Sequence, residues 1–312
     1  MLPRNTKYWI SALGALLLTL GACGRRQQKG VFLDPAFGPL IPPDTKLLAG
    51  IRLDKIRETP LYKKLDGQFD LNRRLNLFAE RTGLDARKDT WQLLLVWNGT
   101  RALVMARGKF SVADGEPSFK ELGGEHLRYK DYSVIGTPET SVFFLNPSVG
   151  IAGRRSDLEN FIDHRAEYSN VPSSLQAGLN ELPYSDQLWL VSNGTIPERA
   201  LAGPDTTGAK SLLSNLVGYV QGAQLGLHVD QGIDFGGSVD CTSTEGAQRV
   251  RDAIKGVVGL ARLRTPDNQM EMLKLYDTVR VNQDGSKVTL SASVAPDLVD
   301  PLLKMLVQLR PR

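Results

Sequence analysis

Gln92-Leu93-Leu94-Leu95-Val96-Trp97-Asn98-Gly99-Thr100 and Gln187-Leu188-Trp189-Leu190-Val191-Ser192-Asn193-Gly194-Thr195 share seven of their nine residues. Each is an aliphatic run closed by Asn-Gly, a pair whose tolerance of positive φ makes it a strong hairpin signal. After the first copy the chain returns through Ala102 to Ala106, and the second copy is followed by the alternating runs Ala223 to Val229 and Ile233 to Val239. Each half then carries a helix start beyond its strands, at Ser156 or Asp157 in the first and at Thr244-Glu245 in the second. The echo reads as a divergent duplication of an α+β unit, the alternative being two similar strand-turn sequences. The expected fold class is α+β, with two related units of antiparallel sheet and helices packed mainly on one face.

Working outward from the echo, Leu47 to Leu53 is an aliphatic strand, and Thr59-Pro60 starts a helix with threonine as cap and proline at the first helical position. Leu61, Leu65, Phe69, Leu71, Leu75, Phe78 and Ala79 form a helical face broken near Gly67 and ended by Gly83. Leu127 to Ile135 alternates around Lys130-Asp131, and Ser141 to Leu145 and Val149 to Ala152 are further strands. In the second half a helix is expected around Leu212, Leu213 and Leu216, and the clearest one carries Ala247, Val250, Ala253, Ile254, Val257, Val258 and Ala261. A short helix with Met270 and Leu273, a hairpin closed by Asp284-Gly285 and a final helix over 297–309 complete the chain. The boundaries read as an export signal over 1–22, a proline-rich tether over 23–45, a first unit over 46–168, a connection over 169–185 and a second unit over 186–312.

Composition narrows the class. The 312 residues include 38 Lys+Arg, 34 Asp+Glu and 41% hydrophobic side chains, which excludes a disordered chain and a polytopic membrane protein. The sequence pI of 9.0 misleads about partners. Residues 1–30 hold Arg4, Lys7, Arg25, Arg26 and Lys29 and no acid; without those five, 33 basic residues face 34 acidic ones. A near-neutral globular part has no global field to draw in a polyanion, so nucleic acid is not an expected partner.

The N-terminus has the three zones of an export signal: a basic start with Arg4 and Lys7, an apolar run from Trp9 to Leu20, and Leu20-Gly21-Ala22-Cys23. The apolar run is shorter than the ~20 residues of a membrane-spanning helix. The tetrapeptide resembles the lipobox of bacterial lipoproteins. That resemblance implies cleavage between Ala22 and Cys23, acylation of the Cys23 thiol by a diacylglycerol, and attachment to membrane lipid, since two or more acyl chains hold stably at ~0.8 kcal/mol per buried methylene. Gly24 stands where aspartate would resemble an inner-membrane retention signal, which by the same resemblance implies sorting to the outer membrane, on its inner leaflet and facing the periplasm. With Cys23 lipidated, Cys241 is the only other cysteine, so no internal disulfide forms. Cys241 ends a strand pattern and reads as a small buried apolar residue.

Motifs for catalysis are absent: there is no Gly-x-Ser-x-Gly, His-Glu-x-x-His, phosphate-binding loop or cysteine pair. His126, His164 and His228 are scattered. Asp230, Asp234 and Asp240 recur along one hairpin without the spacing of a calcium loop, so neither a metal nor a cofactor is expected. Trp91, Trp97 and Trp189 lie on the echoed strands, where an aromatic face suits a stacked sugar or peptidoglycan fragment; core packing is the commoner use of such residues.

Pro42-Pro43-Asp44-Thr45, Arg57-Glu58-Thr59-Pro60-Leu61-Tyr62, Thr265-Pro266-Asp267-Asn268-Gln269 and Leu275-Tyr276-Asp277 together resemble a bacterial family of exported proteins of unknown function. The resemblance spans most of 40–308 and implies an exported α+β domain, with no catalytic residues to carry over. The expected role is a non-catalytic binding or scaffolding module, lipid-anchored in the envelope, with an envelope protein or glycan as partner. The alternatives are an envelope hydrolase with an unrecognised site and a carrier of a small apolar ligand.

Overall fold

The computed structural model describes residues 29–69, 71–111, 124–194 and 216–301. Ala22, Cys23, the helix expected at Leu212 and Leu213, and the last part of the helix expected over 297–309 lie outside the described residues.

Among the described residues, twelve strands form one sheet in which every neighbouring pair is antiparallel. In chain order they are β1 (Leu47–Arg52), β2 (Thr90–Trp97), β3 (Ala102–Gly108), β4 (Glu125–Tyr129), β5 (Tyr132–Gly136), β6 (Ser141–Asn146), β7 (Val149–Gly153), β8 (Leu188–Asn193), β9 (Val220–Val229), β10 (Ile233–Cys241), β11 (Arg280–Asp284) and β12 (Lys287–Val294). Their spatial order is β11-β12-β10-β9-β8-β1-β2-β3-β7-β6-β5-β4. The α+β reading thus stands, and the strands of the two halves form a single sheet that meets at β1.

The echoed strands β2 and β8 flank β1 on its two sides in the same register. Leu48 faces Val96 on one side and Val191 on the other, and Leu47 faces Trp97 and Ser192. Successive residues of a strand point to opposite faces, so the sheet has a Leu48 face and a Leu47 face.

The helices use these faces differently in the two halves. On the Leu48 face, Leu94, Val96, Trp189 and Val191 pack with Leu158, Phe161 and Ile162 of α5 (Arg155–His164) and with Leu175 and Leu179 of α6 (Ser173–Glu181). On the Leu47 face, Val239, Val288 and Leu290 pack under Ala247 and Val250 of α7 (Thr244–Arg264). Beside them Leu188 and Leu227 meet Leu61 and Leu298. Between β1 and β2 the chain forms α1 (Leu53–Glu58), α2 (Pro60–Phe69), α3 (Leu71–Thr82) and α4 (Ala86–Asp89); α8 (Met270–Thr278) follows α7.

Local signals explain most boundaries. Thr59 Oγ1 accepts from the Tyr62 amide at the start of α2, and Ser243 Oγ accepts from the Gly246 amide at 3.0 Å to cap α7. Gly99, with φ +113°, closes the β2–β3 hairpin as Asn-Gly predicts. The helix face expected over 61–79 lies on α2 and α3, on either side of residue 70, which is outside the described residues. Two local readings differ. α5 begins at Arg155 with no side-chain cap, and Asp157 sits in its first turn. The connection over 169–185 carries α6, whose Leu175 and Leu179 are buried despite the polar, proline-bearing surroundings.

The tether expected over 23–45 also departs from its reading. Pro39 lies in a short 3-10 helix, Gly38–Leu40, and Phe37 and Ile41 on either side of it are fully buried on the Leu48 face. The Gln92 side chain fixes this segment, donating to the Phe32 carbonyl and accepting from the Asp34 amide at 3.0 Å. Lys29 bridges to Pro183.

Candidate functional site

Two concavities follow from this architecture. Because α5 and α6 cover the Leu48 face, the Leu47 face of β3, β7 and β6 is left as the floor of a groove of about 500 Å³. Leu93, Val104, Ala106, Ala152 and Val142 lie side by side on that floor by strand register. Phe78, Leu84, Phe110 and Phe144 form its walls, the rings of Phe110 and Phe144 lying 5.5 Å apart. Gly150 belongs to the same wall, and a methyl group there would stand 3.2 Å from the Phe144 ring.

The polar groups of the groove are few and are used locally. Ser141 Oγ donates to the Thr137 carbonyl, the Thr140 amide donates to Thr137 Oγ1, and the Thr90 carbonyl accepts from Arg57. No Asp, Glu, His, Lys, Arg or Cys lines the groove among the described residues. Such a wall offers shape and apolar contact, and neither a proton donor nor a strong nucleophile.

The second concavity, of about 400 Å³, lies where β1 runs into α1 and is lined by Arg52, Lys55, Glu58, Thr59, Tyr184, Ser185, Gln187, His228, Val229 and Asp230. Arg52 is only 8% exposed and stacks its guanidinium near the rings of Phe32 (4.7 Å) and Tyr184 (5.4 Å). Gln187 closes the base, exchanging hydrogen bonds with both backbone groups of Val229. Behind it, burial pushes the Asp186 carboxyl up to about 6, with Asp234 adding to the shift and His228 opposing it.

The three tryptophans do not share a surface. Trp189 is buried on the Leu48 face, Trp97 is half-buried on the Leu47 face, and Trp91 is exposed with Arg107 over its ring at 5.4 Å. The histidines stay apart too: His126 pairs with Ser133, His164 with the Asn160 carbonyl, and His228 Nδ1 donates to the Ser185 carbonyl at 3.0 Å. Asp234 accepts from Ser293 and Asp240 from Gln224, and no cluster of three metal-ligating side chains occurs among the described residues. The Cys241 thiol is buried, and burial raises its pKa, with Asp240 adding to it. No helix among the described residues is long and apolar enough to cross a membrane.

The groove was missed from sequence because it depends on which face each helix covers. A signal did exist: Leu103, Val104, Met105 and Ala106 are apolar at every position, so β3 has a second apolar face that no sequence-adjacent helix is assigned to cover.

No family model matches the chain, and no curated protein does. Among solved structures it is similar to TP0453 in crystal form III (TM-score 0.48, 8% identity, 87% of this chain and 98% of that one). Crystal form I of TP0453 (0.47, 10%, 86% and 96%) and crystal form IV (0.46, 9%, 85% and 95%) are similar to the same degree. This is a loose likeness in chain course, and the fold description rests on the strand register alone.

Proposed function

We propose that the protein is a lipid-anchored binding protein of the bacterial envelope that takes up an apolar chain, of the kind found in membrane lipids, in the groove on the Leu47 face of β3, β7 and β6. The observation that carries this reading is the groove itself: about 500 Å³, apolar in floor and walls, with no ionisable side chain among its described lining residues. An alkyl chain needs no polar partner and gains by leaving water, which matches that wall. The anchor supports the same reading. Cys23 precedes Lys29, which bridges to Pro183, by six residues. An extended chain of that length spans at most about 20 Å, so acylation of Cys23 keeps the domain beside lipid. A hydrolase reading finds no acid, base or thiol among the described lining residues of the groove, and its Ser141 and Thr137 hydroxyls are bonded to local backbone groups.

The test is solvent extraction of the purified, lipidated protein. The wild type is expected to release a non-covalent acyl-chain lipid, and Ala106→Trp, which fills the groove floor, to release little or none while melting at a similar temperature. Equal lipid yields from the two proteins refute the reading; the covalent anchor contributes to neither extract.

A further inference from the structure

Arg52 is a buried cation without an anion. It ends β1, where the strand turns directly into α1, and its neighbours across the sheet are Gln92 on one side and Gln187 on the other. Both are neutral, and both amides are committed to backbone groups of other segments. Among the described residues the guanidinium reaches one hydrogen-bond acceptor, the Tyr184 carbonyl at 3.4 Å, and its Nε has none. No carboxylate lies within 4.0 Å of it among the described residues. Of its five N–H donors, the Nε–H is buried with no acceptor among the described residues, and the nearby rings of Phe32 and Tyr184 offset only part of the desolvation of the charge.

The surroundings carry the same imbalance. The Ser185 hydroxyl, in the wall of the same cleft, is buried and has no hydrogen-bond partner among the described residues. Lys55 stands at the rim with its ammonium 3.1 Å from Glu58, on a flexible side chain that is 44% exposed. Asp230 is the remaining acid of the lining, and Asp186 responds electrostatically to His228 and Asp234. Buried charges in proteins are paired or hold a ligand, and a fork of unpaired donors matches an oxyanion.

We propose that the cleft at the β1–α1 junction binds a phosphate group, held by the Arg52 guanidinium with the Ser185 hydroxyl and the Lys55 ammonium. Donors on three separate segments suit a tetrahedral oxyanion, which accepts on more sides than a planar carboxylate does. The site is independent of the apolar groove, whose lining shares no residue with it.

The experiment is a titration of the full-length lipidated protein in neutral maltoside micelles, read by thermal midpoint and by the side-chain Nε–H resonance of Arg52. Inorganic phosphate is compared with chloride at equal ionic strength, and with dihexanoyl phosphatidic acid. A saturable rise in midpoint with a shift of the Arg52 resonance is expected for phosphate, and the source follows from the arms. A response to both ligands assigns the site to a free phosphate group, and a response to phosphatidic acid alone assigns it to a lipid headgroup. Lys55→Ala and Ser185→Ala, whose side chains leave the core intact, are expected to weaken the response about tenfold or more, and Asp230→Asn to strengthen it. A midpoint that follows chloride for both ligands, or an unshifted Arg52 resonance, overturns the proposal, as does an undiminished response in both weakening variants. Loss of lipid from the groove variant leaves this site untouched, so the two readings fail separately.

Discussion

Trp189 lies over Gly50 across the β1–β8 pair, so close that a methyl group on Gly50 would stand 2.3 Å from the indole carbon Cε2. On the other side of β1 the same glycine faces Leu94, the echo partner of Trp189. The absence of a side chain at Gly50 is what lets the larger of the two echoed residues fit. Gly50→Ala is expected to destabilise the protein by about 1–3 kcal/mol through overpacking. Trp189→Leu restores the smaller echo residue and removes an indole Nε1 that has no partner among the described residues. In that background the Gly50→Ala cost is expected to shrink, and a double-mutant cycle in urea checks it. Additive costs would refute the contact's role.

Asp186 sets a pH dependence of known sign. Its carboxyl sits at about 6 in the folded chain against an ordinary 3.8, chiefly through desolvation. The folded state therefore holds this proton more tightly than the unfolded one, and stability falls as pH rises through that window. The loss is complete above the folded value and amounts to about 3 kcal/mol at most. Asp186→Asn is expected to be more stable than wild type near neutral pH and to lose that advantage at about pH 4. Urea midpoints of both proteins at the two pH values test this; a constant difference between them would contradict it.

Gln92→Ala removes the two hydrogen bonds that hold Phe32 and Asp34 to the sheet. Leaving buried backbone groups unpaired costs about 1–3 kcal/mol. Faster amide exchange is expected at Val31 and through Phe37 to Ile41, with little change in α7, which packs on the other face. Uniform exchange changes across both regions would argue against a local clamp.

Ser243→Ala removes the side-chain cap of α7 and is expected to cost about 1 kcal/mol. Ser243→Asp keeps an acceptor at the helix N-terminus and is expected to restore most of it. Thermal melts of the three proteins decide the matter.

Cys23→Ser is expected to move the protein out of the membrane fraction and to abolish incorporation of labelled fatty acid. A variant that stays membrane-bound, beside a wild type that takes up no label, would rule out the anchor.

What could be read from the residues was local. The Asn98-Gly99 hairpin, the Thr59-Pro60 helix start and the apolar stripe at Ala247 and Val250 each depend on neighbours within a few positions, and each appears in place. What could not be read was long-range. The pairing of Leu47 with both Trp97 and Ser192 joins residues far apart in sequence, and no local pattern states that one strand serves two partners. The groove and the Arg52 cleft are consequences of that pairing. The first exists because α5 and α6 cover the Leu48 face and leave the Leu47 face of β3, β7 and β6 open, and the second because β1 brings Arg52 between two neutral glutamines. The tryptophans are a different case: Trp189 and Trp97 belong to matching strands but fall on opposite faces, since their positions within the echo differ by an odd number, a parity already present in the sequence.

The shared strand also sets an order of assembly. β1 emerges early from the ribosome, yet one of its edges stays open until Leu188 to Asn193 arrives. Until then Leu47 to Arg52 is a short aliphatic template with unpaired backbone groups, the kind of edge that recruits other chains. A chain cut before β8 would carry that hazard permanently, so the first half expressed alone should aggregate rather than fold as a smaller version of the whole. Whatever the ancestry of the echo, neither half can close its own sheet at this point, and the fold is complete only once its late segment has joined β1.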